Sequence, residues 1–314
     1  MSLAQVASQI VIIFALMLLG ALIREAGFLH ETSINDLTNI VLYFLSPMVI
    51  LHAFYQPFST SRFIIFLKLV VAVFLGYLVT VIVTKICFRH IDDPNYRAIL
   101  MYGSIYSNNG FMGIPLAQAL FGSAGVFYGV ASMIGFNVMS WTQGIGMFHH
   151  STSHLSRGQA VKKILLNPNI IAILVGLLIF VFSVHLPSLV TTFLTYGSQA
   201  FTPLSMMIIG SNLVGMKLKN VHLDGPMVVT LLFRNLLFPL INLVILLLTG
   251  IHGVALLTTV ILAACPVAGL VVLFTLQAKG DTKPALVLMS LSTILSLVTI
   301  PIVYLLTVAL VRLL

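Results

Sequence analysis

A proline-centred interruption occurs twice in this chain, once in each half, inside stretches otherwise apolar enough to span a bilayer. The first reads Ser107-Asn108-Asn109-Gly110-Phe111-Met112-Gly113-Ile114-Pro115, the second Ala263-Ala264-Cys265-Pro266-Val267-Ala268-Gly269. Breaking a helix at membrane depth frees backbone N–H and C=O groups where there is no bulk water, which is tolerable only where protein or a polar cavity satisfies them. A pair of such breaks in matching positions of two halves points to a transporter's binding site.

The surrounding composition demands a membrane. Hydrophobic residues make up 60% and charged residues 7% of the 314, and the mean hydropathy is +1.14, far from the balance of a soluble domain. A span needs roughly 20 apolar residues. The pattern predicts ten: Gln5 to Ile23, Ile34 to Phe54, Phe63 to Phe88, Asn95 to Phe121, Gly125 to Phe148, Asn169 to Leu186, Tyr196 to Met216, Pro226 to Leu248, Val254 to Ala278 and Pro284 to Val311. The first lacks the basic n-region and cleavage site of a secretory signal, so it is expected to remain as a helix. Cys87 and Cys265 lie in or beside spans, which argues against a disulfide framework or a cysteine metal site.

The net charge of +8 would suit nucleic acid, but its distribution is topological. Arg24, Lys85, Arg89, Arg97, Arg157, Lys162, Lys163, Lys217, Lys219, Lys279 and Lys283 all fall on one set of alternating loops and span ends, whereas the opposite set holds Arg62 and Arg312. The positive-inside rule then puts both termini outside the cell membrane and the central linker in the cytoplasm. No nucleic-acid partner is expected; the lipid bilayer is.

Ten spans divide as five plus five, and an odd-numbered repeat enters the membrane in opposite directions, so the halves are inverted. Pro47 with Pro203, and Pro115 with Pro266, are each separated by about half the chain. The expected organisation is a first five-helix repeat over 1–148, a cytoplasmic linker over 149–168 and a second, inverted repeat over 169–314. Asn167-Pro168 reads as an N-cap followed by proline at the first helical position. His149, His150 and His154 in the linker lack carboxylate or cysteine neighbours and read as a solvated loop rather than a metal site.

Spans four and nine run in opposite senses, so their breaks are expected to cross near the midplane. Pro115 and Pro266 suit the first positions of the outgoing half-helices, whose N–H groups favour a carboxylate. The incoming halves end in carbonyls that favour a cation. Asn108 and Asn109 add amide donors and acceptors, while Gly110 and Gly113, beside Ile114, let a ligand approach the backbone. The blander reading makes these asparagines interhelical glue and the prolines simple kinks. Arg234 lies ten residues beyond Asp224, about 15 Å along a helix and too deep to snorkel easily, so it needs an interior partner, either carbonyls or an anionic substrate. Lys68 is a second cation, only six residues from Arg62 and within snorkelling reach.

Every acid (Glu25, Glu31, Asp36, Asp92, Asp93, Asp224, Asp281) lies in a loop or at a span end. With no deep carboxylate, carboxylate-driven proton exchange is disfavoured. An enzyme is disfavoured too, since there is neither an HExxH motif nor a carboxylate pair within a span.

Asn108-x-x-x-Met112-Gly113-Ile114-Pro115-Leu116 resembles the fourth-helix crossover of the auxin efflux carrier family, which includes plant PIN carriers and bacterial malate-permease-like proteins within the bile acid transporter-like superfamily. Asn167-Pro168-Asn169 with Gly176, the stretch Gly210-Ser211-Asn212-Leu213-Val214-Gly215-Met216-Lys217, and Cys265-Pro266 with Phe274, Lys279, Pro284 and Pro301 are similar to its second half. The resemblance implies an all-α membrane protein of ten helices in an NhaA-like 5+5 inverted repeat, with a scaffold domain from helices 1, 2, 6 and 7 and a transport domain from helices 3–5 and 8–10. It further implies elevator-type movement of a small organic anion, malate or another carboxylate, in a homodimer of the bacterial inner membrane. No cofactor is expected; Na⁺, which the carbonyl ends of the broken helices would suit, or H⁺ is the candidate coupling ion. The substrate-binding residues expected are Asn108, Asn109, Gly110, Gly113, Ile114, Pro115, Cys265, Pro266, Val267, Arg234 and Lys68. Val267 stands where plant carriers have glutamine, and the linker is short, as in bacterial members. An organic-anion channel is the competing expectation; it would need rings of basic residues along a pore, and the spans supply only Lys68 and Arg234.

Overall fold

The structure, a computed structural model, describes residues 3–148, 165–214 and 223–313. His149, His150, His154, Arg157, Lys162, Lys163, Gly215, Met216, Lys217 and Lys219 lie outside the described residues. Among those described, the architecture is all helical: α1 Leu3–Glu25, α2 Glu31–Ile40, α3 Ser46–Phe54, α4 Thr60–Cys87, α5 Pro94–Ile105, α6 Ile114–Met139, α7 Pro168–Val181, α8 Ser188–Val214, α9 Gly225–Leu232, α10 Phe238–Leu248, α11 Gly253–Ala263, α12 Leu270–Gln277 and α13 Lys283–Leu313. Among the described residues five helical runs are long and apolar enough to cross a membrane, namely Glu31–Phe54, Thr60–Cys87, Asn109–Gly144, Gly225–Leu248 and Lys283–Leu313; α7 and α11 are shorter apolar helices.

Local chemistry sets many of the helix starts. Asp93, Asn167 and Asp224 are N-caps, accepting hydrogen bonds from the N–H groups of Asn95 (2.9 Å), Asn169 (2.9 Å) and Met227 (2.9 Å), and each is followed at the first or second helical position by a proline. Two of the acids are therefore held at helix starts, where the dipole and the free N–H groups stabilise them.

Three runs widen into an i→i+5 turn just before a proline: Val41–Leu45 before Pro47, Asn109–Gly113 before Pro115, and Phe233–Leu237 before Pro239. Proline has no N–H and its ring clashes with the carbonyl four residues earlier. A one-residue bulge moves that carbonyl away and lets the helix continue. A fourth wide turn, Ser140–Gly144, has no such proline. Gly122, at φ 60° and ψ −150°, kinks α6 in a conformation that glycine alone adopts readily.

The chain groups into two compact units. The first comprises Met1–Leu67, Gly110–Val130 and Leu165–Lys217; the second comprises Lys68–Asn109, Ala131–Ile164 and Leu218–Leu314. In the first, α1 and α8 are in close contact: Gly20 lies against the backbone of Met207 and Gly210 against that of Met17, leaving no room for a side chain at either glycine. Across this seam Ser211 Oγ donates to the Gly20 carbonyl (2.8 Å) and Arg24 to the Ser211 carbonyl (3.0 Å). Small residues that let backbones meet, joined by polar bonds, hold helices together where lipid removes the hydrophobic drive. Phe54, Phe66, Phe127 and Phe180 form the aromatic centre of this unit, with Gly176 beneath the Phe54 ring.

The core of the second unit is built on Tyr77, Tyr102, Tyr106, Phe148 and Phe274. Tyr102 packs 4.4 Å from Tyr106 and edge-on to Phe274 at 5.6 Å, geometries the ring quadrupole favours. Their hydroxyls are also satisfied: Tyr102 pairs with Ser140 Oγ (2.6 Å), and Tyr106 donates to Gln143 Oε1 and to the Met139 carbonyl. Gly144 makes this possible, because a Cβ there would stand 2.9 Å from the Tyr102 ring.

Candidate functional site: the crossing of two broken helices

In the second unit the two interruptions meet. The first helix stops at Ile105 and the other at Ala263, and the released strands of chain pair as a single antiparallel bridge between Ser107 and Val267. Asn108 N–H donates to the Pro266 carbonyl (2.8 Å) and Ala268 N–H to the Tyr106 carbonyl (3.0 Å). The breaks thus satisfy each other, which is how non-helical backbone survives at depth.

Pro266 does not stand at the first helical position. It lies in the extended link and α12 opens only at Leu270. The reason is the pairing itself, which needs extended residues on both sides of the bridge. Pro115 is the second residue of α6, after the wide turn that begins at Asn109.

The carbonyl poles at the ends of α5 and α11 are occupied by Arg234. Its Nη1 donates to the carbonyls of Ser104 (3.1 Å) and Ile105 (2.7 Å), and its Nη2 to that of Ala263. The side chain is 2% exposed, and Nε has no hydrogen-bond partner. Of the two partners expected for this deep cation, the structure supplies carbonyls. The widened turn before Pro239 leaves Arg234 and its neighbour Asn235 both buried.

Asn235 belongs to a relay that sequence reading missed. Val267 N–H donates to Ser292 Oγ (3.0 Å), which donates to Asn235 Oδ1 (3.0 Å). This fixes the second break to α13 and to the Arg234 turn. Asn109, 3% exposed, accepts from Ser107 Oγ (2.7 Å) and donates to the Ser132 carbonyl (3.4 Å). Beside them lies a cavity of about 30 Å³ whose polar lining includes Tyr77, Ser107, Asn109, Arg234, Asn242 and Thr259. That is room for about one water-sized group.

Of the expected site residues, Asn108, Asn109, Cys265, Pro266, Val267 and Arg234 come together here. Cys265 is fully buried and its thiol turns back to the Ile261 carbonyl (3.5 Å). Lys68, in the same unit, is exposed and does not line the cavity. Gly110, Gly113, Ile114 and Pro115 belong to the first unit. There the Pro115 carbonyl accepts from Thr202 Oγ1 (3.4 Å), which also donates to Gln118 Oε1 (2.9 Å), while Gln118 Nε2 donates to Ser198 Oγ (2.7 Å). Gln118 went unnoticed in the sequence, though it lies one helical turn beyond Pro115.

A crossing of two broken helices with a buried cation, among described residues that are helical and rich in apolar spans, is the architecture of a membrane transport protein. The chain belongs to the membrane transport protein family, whose model matches residues 5–304 and which includes the auxin efflux carriers. It is 30% identical over 217 residues to an uncharacterized transporter of Methanocaldococcus jannaschii, covering 67% of this chain and 70% of that protein. It is 27% identical over 290 residues to an uncharacterized transporter of Methanothermobacter thermautotrophicus, covering 92% and 94% respectively.

Proposed function

We propose that the protein is a secondary transporter or uniporter that moves a small organic anion, malate or a similar carboxylate, across the cell membrane by an elevator-type alternation. The observation that carries this reading is the hydrogen-bonded crossing of the two breaks beside a polar cavity and the Arg234 guanidinium. In this reading Asn108, Asn109 and the crossover backbone from Cys265 to Val267 bind the carboxylate; Gly110, Gly113, Ile114 and Pro115, expected from the sequence to join them, group with the first unit. Arg234, whose Nε has no hydrogen-bond partner, lines the cavity, and Lys68 is a second, outlying cation.

The ten-span inverted repeat remains part of the proposal, with both termini outside, the 149–168 linker in the cytoplasm, a homodimeric assembly and a bacterial inner-membrane setting. So does the division into a scaffold from spans 1, 2, 6 and 7 and a moving part from spans 3–5 and 8–10. The grouping of α1 to α3, α7 and α8 in one compact unit, and of α5 and α9 to α13 in the other, supports that division in part; residues 63–67 of α4 and Gly110–Val130, which it assigns to the moving part, group with the former.

Carrier is favoured over channel by size. The cavity admits about one water-sized group, so a four-carbon acid enters only if the walls move, which alternation supplies and a standing pore does not. Reconstitution into proteoliposomes tests this: saturable uptake of labelled malate with counterflow is expected, whereas flux that rises without saturation and shows no counterflow would establish the channel.

A further inference from the structure

The two helices that end at the crossing, α5 and α11, are 12 and 11 residues long and stop within reach of one guanidinium. Each helix C-terminus leaves carbonyls without intrahelical partners and carries the equivalent of about half a negative charge. Two such ends amount to about one elementary charge, which a single monovalent cation balances. Among the described residues no Asp or Glu is buried, so the negative potential at this point comes from the carbonyls.

We infer that Arg234 is a cation tethered in the place a free monovalent ion would take, so that the crossing is complete without bound Na⁺ and transport by this protein is not coupled to sodium there. A planar guanidinium carries five N–H donors in a fixed fork, so one side chain can reach acceptors on two helices at once. Its Nη1 bonds to the Ser104 and Ile105 carbonyls and its Nη2 to that of Ala263, taking oxygens of the hard type that a sodium ion would need. A free ion dissociates with each cycle and thereby couples its gradient to the substrate. A side chain anchored in the wide turn before Pro239 cannot leave. The inference deepens the proposed transport reading, which it narrows to proton coupling or uniport, but its test needs no substrate.

The test is the thermal unfolding of the purified full-length protein in NaCl, KCl or choline chloride at equal ionic strength, comparing wild type with Arg234→Ala, Arg234→Gln and Arg234→Lys. The wild-type midpoint is expected to be the same in all three salts. Arg234→Ala is expected to unfold several degrees lower and to recover part of that loss in millimolar guanidinium, or in Na⁺ relative to choline. Arg234→Lys, which restores the charge without the fork, should fall between. If Arg234→Ala is not recovered folded, Arg234→Gln, which keeps donors without charge, is expected to acquire the same cation response. A wild-type midpoint raised selectively by Na⁺, or neutralised variants indifferent to every added cation, would overturn the inference. A purely structural loss of packing would lower the midpoint without creating a cation dependence. Because no substrate enters the assay, its failure is separable from a failure to carry malate.

Discussion

The backbone N–H of Asn108 donates to the carbonyl of Pro266 at 2.8 Å, joining two helix breaks that lie more than 150 positions apart in the chain. This bond and its neighbour, from Ala268 to Tyr106, convert two costly interruptions into one self-satisfied crossing. Each helix break would by itself leave polar backbone at depth. Paired in this way the backbone at the crossing is no longer orphaned, and a small polar cavity lies beside it.

Ser292 supports that crossing from α13. Replacing it with alanine removes the acceptor for the buried Val267 N–H and the donor to Asn235, at an expected cost of about 1–3 kcal/mol. The thermal midpoint of Ser292→Ala should fall, and the double variant with Asn235→Leu should lose less than the sum of the two single changes. Strict additivity would break the relay.

Gly144 and Gly146 offer a matched pair. A methyl at Gly144 would press on the Tyr102 and Tyr106 rings, while nothing lies within 4 Å of a methyl at Gly146. Gly144→Ala should cost about 1–3 kcal/mol and Gly146→Ala should change stability by no more than about 0.5 kcal/mol. Equal midpoints for the two would contradict the packing described.

Asp224 has two tasks, capping α9 through the Met227 N–H and accepting from the Tyr96 hydroxyl at 2.5 Å. Tyr96→Phe removes only the second, at an exposed position, and should cost about 1 kcal/mol or less. Asp224→Ala removes both and should cost about 1 kcal/mol more than Tyr96→Phe, the worth of a lost N-cap. Urea unfolding of both variants in mild detergent measures the difference, and a reversed order would be incompatible with the cap.

Pro239 is predicted to go against propensity. Proline in a helix interior ordinarily costs about 3 kcal/mol relative to alanine, so Pro239→Ala would be expected to stabilise. Here the proline maintains the wide turn Phe233–Leu237 that keeps Arg234 and Asn235 buried. Closing the regular ladder would turn both away from their partners. Pro239→Ala should therefore show no gain in midpoint and a loss of transport; a clear gain in both would remove the turn's role.

Much of this was legible in the residues. The positions of both breaks, the need for an interior partner at Arg234, the Asn167 cap and the absence of acids from the buried interior of the described residues each follow from local chemistry. What stayed hidden depends on partners distant in sequence. Nothing near Ser292 signals that it receives the Val267 N–H, and nothing near Asn235 signals the same relay. The carbonyl poles could be foreseen, but not that Arg234 would fill them, because the choice between carbonyls and substrate is made by the fold. Pro266 looked like a helix start because the rule for proline is local, whereas the pairing with Asn108 that keeps its link extended is not. Gly110–Val130 groups with the first unit although the adjoining residues up to Asn109 belong to the second, a division that no composition shift marks.

The most direct test of the crossing as a carboxylate site is labelled malate uptake into proteoliposomes, comparing wild type with Asn108→Ala and Asn109→Ala while Na⁺ and pH gradients are imposed separately. The account predicts saturable wild-type uptake that both substitutions reduce at least about tenfold, a loss of about 1.4 kcal/mol, in protein that still folds. Undiminished saturable uptake in both variants would contradict it.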